Sequence, residues 1–129
     1  DGKFLLVRQY RPGLGRTSYE LCAGVCDKED ASPLVSAQRE LWEETGYGNG
    51  NWQEYMVLSP NPSTHTNVTY CFLATDVEPI APQHLEDTED LTVHLLTLEE
   101  VKQLLLNNEI MQSLHAAPLW RYMAEKRLI

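Results

Sequence analysis

A mixed α/β layered domain follows from three features of the sequence. Runs rich in aromatic and β-branched residues lie between clusters of Gly, Pro and Asn, three other stretches carry apolar residues at helical spacing, and the two kinds of segment mix without strict strand-helix-strand alternation. At 129 residues the chain has room for one ordinary core and not two, so the reading is a single domain over residues 1–129. No internal repeat or low-complexity tract interrupts it.

The segment KFLLVRQYR, between Asp1-Gly2 and Pro12-Gly13, is a strand with a turn at each end. TSYELCAGV follows as a second short strand ending at Gly24. CDKEDASP is a polar loop whose Ser32-Pro33 pair supplies an N-cap and a first-turn proline. The helix it starts runs from about Pro33 to Thr45, with Gly46 where a left-handed C-terminal residue is wanted. Beyond the turn-rich GYGNGN come the strand WQEYMVLS, the loop NPSTHTN and the strand VTYCFLATDV. A loop with two prolines leads to the acidic tract LEDTED, the strand LTVHLLT, and the helices LEEVKQLLL, capped by Thr97, and PLWRYMAEKRL. DGKFLLV reads as the tail of a hairpin turn entering a strand, so the natural chain is expected to begin earlier, with an N-terminal extension that is missing here.

Ten basic and nineteen acidic side chains give a formal charge of −9, a field that repels nucleic-acid backbones and argues against a nucleic-acid partner. No apolar run is long enough for a membrane span, which points to a soluble protein with no membrane partner. Three cysteines, Cys22, Cys26 and Cys71, are too few and odd in number for a disulfide framework and suit a reducing cytoplasm. Cys22 and Cys26 have no second Cys/His pair at zinc spacing, and His84, His94 and His115 have no mutual metal spacing.

On the first helix, Leu34, Ala37 and Leu41 form an apolar stripe, and Glu40, Glu43 and Glu44 fall at i, i+3 and i+4 on a neighbouring face. Their mutual repulsion, and their place in the last turns where the macrodipole disfavours negative charge, make the arrangement locally unfavourable. Arg39 offsets part of this by pairing with Glu43. Three carboxylates near a glycine-containing strand end suit a hard divalent cation completed by phosphate oxygens of a substrate; a solvated acidic face is the other reading of these three residues alone.

AGVCDKEDASPLVSAQRELWEETGY resembles a Nudix box, G-x5-E-x7-R-E-U-x-E-E-x-G-U with U apolar. Arg39, Glu40, Leu41, Glu43, Glu44, Gly46 and Tyr47 match its second half at every fixed position. Counted back from Arg39, the loop after Gly24 is one residue longer than the pattern, which leaves the early carboxylate open between Glu29 and Asp30. VRQYRPG, YELCAG and LEDTEDLTVHLLTLEEV resemble the ADP-ribose pyrophosphatase branch of that family.

The resemblance implies a Nudix α/β/α sandwich with a mixed sheet and Mg2+- or Mn2+-dependent hydrolysis of the pyrophosphate bond of ADP-ribose or a related nucleoside diphosphate sugar. It implies metal ligation by the Ala23 carbonyl, Glu40 and Glu44, with Glu43 a ligand or an acceptor behind them, and Arg39 orienting a glutamate. Glu44 doubles as a catalytic group. The base is expected in LEDTED, at Glu89 first and Glu86 second, with Asp87 beside them; an acidic solvated turn is the alternative.

Arg11, Arg8 and Glu20 are the candidate substrate contacts, with a surface salt bridge as the alternative for Arg8 and a cross-strand charge pair for Glu20. Tyr10 and Tyr19 either stack on an adenine or pack, and His65 either lines the substrate or is simply exposed. The branch also implies a homodimer. Two rival functions stay open: hydrolysis of another nucleoside diphosphate derivative or damaged nucleotide, and a non-catalytic ADP-ribose sensor.

Overall fold

The computed structural model describes residues 2–26, 28–64, 66–83 and 91–127. In chain order its elements are β1 (Lys3–Arg11), β2 (Arg16–Glu20), α1 (Pro33–Thr45), β3 (Tyr47–Gly48), β4 (Asn51–Leu58), β5 (Thr69–Thr75), β6 (Glu78–Pro79), β7 (Leu91–Thr97), α2 (Leu98–Leu106) and α3 (Ser113–Glu125). The chain forms two compact units, one from Asp1–Cys22 with Asp87–Ile129 and the other from Ala23–Glu86. Every strand pair among the described residues is antiparallel.

In the first unit the sheet order is β2-β1-β7, with β1 in the middle. Its register on β2 is unbroken, with Val7 opposite Glu20, Gln9 opposite Ser18 and Arg11 opposite Arg16. Opposed residues share a face and neighbours alternate, so Val7, Gln9, Arg11, Ser18 and Glu20 lie on one side of the sheet and Leu6, Arg8 and Tyr19 on the other. Leu6 sits in the core with Val101, Leu105, Ile110, Leu119 and Met123. Phe4 meets Tyr122 edge to face with ring centroids 5.3 Å apart.

Thr97 caps α2 as expected, and the cap is reciprocal: Glu100 N–H donates to Thr97 Oγ1 (3.2 Å) and Thr97 N–H to Glu100 Oε1 (3.0 Å). The last helix starts five residues before the Pro118 where sequence reading placed it. A proline inside a helix removes one backbone bond, but His115, Leu119 and Met123 fall at i, i+4 and i+8 and are all buried. Packing of that stripe carries the helix through the proline.

In the second unit, α1 has the bounds its end signals dictate. Ser32 Oγ accepts from Val35 N–H (3.3 Å), Pro33 opens the first turn, and Gly46 at φ 76° donates to the Trp42 carbonyl (2.8 Å). β4 pairs with β5 across a bulge that leaves Tyr55 between Glu54, opposite Phe72, and Met56, opposite Cys71. The two-residue strands β3 and β6 pair within the turn-rich stretch. The second strand ends at Glu20, short of the Gly24 expected.

Candidate active site

The glutamates of α1 differ in burial. Glu44 is buried with Leu41 and Thr45 on the inner face of the helix, whereas Glu40 and Glu43 turn to Arg39. Arg39 Nη1 donates to Glu40 Oε1 (3.0 Å) and to Glu43 Oε1 (2.7 Å). The local repulsion is thus relieved by one guanidinium that serves two carboxylates. The three carboxylates span roughly 100° of the helix surface, with Glu44 at the more buried edge, beside Leu41.

The same guanidinium reaches a third acid. Arg39 Nη2 donates to Asp30 Oδ2 (3.0 Å), which also accepts from Ser36 Oγ (2.7 Å). Of the two candidates for the early carboxylate, Asp30 is therefore the one tied to the helix, while Glu29 is exposed. Hydrogen bonds to Asp30 and then to Glu43, with the charge of Glu40 behind them, raise the Arg39 pKa above its ordinary value.

Gly24 explains how closely the chain ahead of α1 approaches the helix. A Cβ built on it would lie 2.6 Å from Glu40 Cγ and closer still to the Glu40 carboxylate. The glutamate occupies the space that any other residue would fill. This sets the Glu40 carboxylate beside the chain at Gly24, next to Ala23; carboxylate and carbonyl oxygens are the donor types a hard divalent cation takes. Among the described residues no three His, Cys, Asp or Glu side chains are placed to hold a metal ion together; Asp30, Glu40 and Glu43 are bound to Arg39 instead.

The C-terminal end of α1 is stitched into the segment that follows β6. Thr45 Oγ1 donates to the Leu41 carbonyl (2.6 Å) and accepts from Tyr47 N–H (3.0 Å). The Gly46 carbonyl accepts from Ile80 N–H (2.8 Å) and Ala81 N–H (3.1 Å). Gln83 Nε2 donates to the Glu44 carbonyl (2.7 Å). Sequence reading missed Gln83, since no spacing rule connects residues 39 apart.

The first unit holds a charged centre of its own. Glu20, 1% exposed, receives Arg11 Nε at Oε2 (2.7 Å), Arg11 Nη2 at Oε1 (2.6 Å) and Gln9 Nε2 at Oε1 (3.2 Å). The shared face of β1 and β2 brings these three together, so the cross-strand charge pair is present. Arg11 remains 44% exposed, with guanidinium surface facing solvent. Burial alone would raise the Glu20 carboxyl, but the hydrogen bonds from Arg11, the proximity of His115 and the Arg11 charge hold it below its ordinary range.

His115 was passed over in the sequence because it has no metal-like partner spacing. The buried stripe with Leu119 and Met123 is the signal that places it. Its Nδ1 accepts from Leu21 N–H (3.2 Å), which leaves the proton of the neutral ring on Nε2, 3.9 Å from Glu20 Oε1. Burial pushes its pKa down against the pull of Glu20.

Arg8 forms no salt bridge among those described: it donates to Thr17 Oγ1 (3.0 Å) and lies over the Tyr19 ring, 5.4 Å from the centroid. Tyr19 in turn packs against the core and meets His94 edge to face, and Tyr10 is exposed. Glu86, Asp87 and Glu89, with His65 and His84, lie outside the described residues. No described helix is long and apolar enough to cross a membrane.

Comparison with known proteins places this geometry. The chain is 30% identical over 118 residues to an ADP-ribose pyrophosphatase of Mycobacterium tuberculosis, covering 91% of this chain and 57% of that protein. It is 31% identical over 111 residues to an ADP-ribose pyrophosphatase of Bacillus subtilis, covering 85% and 60%. It thus spans less than two thirds of the length of these relatives. A solved structure described as an ADP compounds hydrolase superposes with a TM-score of 0.82 at 22% identity, covering 98% of this chain and 69% of the other, and so shares the fold. The NUDIX domain profile matches residues 1–117. With the match taking in Gly24, the glutamate helix and the Arg39 hub, the chain belongs to the Nudix family.

Proposed function

We propose that this chain is the hydrolytic domain of a Nudix pyrophosphohydrolase that cleaves the pyrophosphate bond of ADP-ribose or a related nucleoside diphosphate sugar, giving a nucleoside monophosphate and a sugar phosphate. The observation that carries the reading is the Glu40 carboxylate lodged in the space of the missing Gly24 side chain, on a helix that also bears Glu43 and Glu44. The Ala23 carbonyl, Glu40, Glu43 and Glu44 would hold Mg2+ or Mn2+. Such an ion supplies positive charge against a diphosphate and makes water more acidic.

The remaining work falls to the chain's own groups. Arg39 fixes the side chains of Glu40 and Glu43 through its paired bonds, so these acids are oriented before a substrate arrives. Arg11, held at two nitrogens by Glu20, keeps an exposed guanidinium surface in a fixed orientation for a phosphate or ribose oxygen. The proton of the attacking water passes to a carboxylate, assigned to Glu89, then Glu86, with Glu44 in the box as the third acid. The names of the two pyrophosphatase relatives support ADP-ribose as the first substrate to test. A homodimer in the cytoplasm completes this reading.

The test is AMP release from a panel of nucleoside diphosphate sugars with Mg2+ or Mn2+, in the wild type and in Glu44→Gln. Turnover of ADP-ribose, lowered at least about 100-fold by the substitution, is the expected result. Tight binding of ADP-ribose without turnover would favour a sensor and end the catalytic reading.

A further inference from the structure

We infer that Gln83 is a positioning residue for the carboxylate helix, setting the affinity of the Glu44 end of α1 for a divalent cation; this rests on the metal-binding role proposed above. The last turn of a helix exposes carbonyls with no intrahelical donor, and the partial negative charge there disfavours nearby acids. In α1 that turn carries Glu43 and Glu44, and it contains no basic residue. No charged donor is therefore available within that turn.

Each donor found is neutral. Gly46 N–H takes the Trp42 carbonyl, Thr45 Oγ1 takes the Leu41 carbonyl, and the Gln83 amide reaches the Glu44 carbonyl at 2.7 Å from 39 residues away. The Gln83 bond is the one made to the backbone of a proposed ligand. Lysine at this place would supply a donor too, but its ammonium would be a resident cation beside the glutamates and would compete with a metal ion. An amide gives the hydrogen bond without the charge. It steadies the peptide that carries Glu44 and leaves the carboxylate charge available.

Gln83 is itself exposed, and its segment is held separately by the bonds of Ile80 and Ala81 to the Gly46 carbonyl. Its removal should therefore disturb the helix end and not the fold. The test compares wild type, Gln83→Ala, Gln83→Met, which keeps the length and lack of charge but loses the donor, and Thr97→Ala, which removes the cap of α2 as a control for stability alone. Mn2+ binding is followed by loss of the free-ion electron paramagnetic resonance signal, alongside thermal melting and KM for ADP-ribose at saturating Mn2+.

Both Gln83 variants should bind Mn2+ about tenfold more weakly, with KM and melting temperature close to wild type. Thr97→Ala should lower the melting temperature and leave Mn2+ binding unchanged. Wild type that binds Mn2+, with both Gln83 variants matching it, overturns the role of Gln83 alone. Wild type that binds no Mn2+ overturns the metal-site reading, and this inference with it.

Discussion

Gly24→Ala and Gly46→Ala are the same chemical change on one unit, and they should separate function from stability. At Gly24 the added methyl meets the end of a flexible side chain, Glu40, and the backbone there needs no positive φ. The alanine stabilises by about 0.4–1 kcal/mol through the unfolded chain, while the displaced Arg39–Glu40 pair, partly exposed, takes away about as much. Melting temperature should then move by no more than about 4 °C. Mn2+ affinity should nonetheless fall by at least about tenfold, because the displaced group is a proposed ligand.

At Gly46 the methyl meets backbone, 3.0 Å from the Ala81 carbonyl carbon and nearer to its oxygen, at φ 76°. The left-handed conformation alone costs about 1–2 kcal/mol and the backbone must also shift, so a fall of about 6 °C or more is expected. Calorimetric melting and Mn2+ titration of both variants check this. Gly24→Ala that binds Mn2+ like wild type, or that melts as early as Gly46→Ala, would refute the argument.

Glu20→Gln removes the charge of a buried acid and leaves Arg11 with weaker partners; since Arg11 is half exposed, the loss should be about 1–3 kcal/mol in urea unfolding, and a change under about 0.5 kcal/mol would contradict the network described. Stability should also fall with acid in two steps. His115 and Glu20 both have folded pKa values below their ordinary ones of 6.5 and 4.5. The unfolded chain therefore binds more protons, and stability is lost first as pH drops below 6.5 and again below 4.5. Urea midpoints across this range test the order, and His115→Gln should remove the first step.

Local chemistry made much of this fold legible. β1 stops at Arg11 because Pro12-Gly13 follows, and α1 and α2 start where Ser32 and Thr97 offer an oxygen to an amide three residues on. The box identified Glu40, Glu43, Glu44 and Arg39 as one constellation. What the sequence hid depends on tertiary packing. Pro118 reads locally as a helix start, and only the burial of His115, Leu119 and Met123 reveals that the helix runs through it. The bond between Leu21 and His115, 94 residues apart, and that between Gln83 and Glu44 join segments no window can span.

The first unit is assembled from two distant stretches of chain, and β1 finds a partner in β7, with Lys3 opposite Thr97. During synthesis the opening strand must wait for nearly a hundred residues to emerge before that edge is matched, whereas the second unit is continuous and meets no such delay. Closure over so long an interval is slow. Among the described strands the hairpin of β1 and β2 thus waits longest for its second neighbour, and its bare edge is what a chaperone would protect.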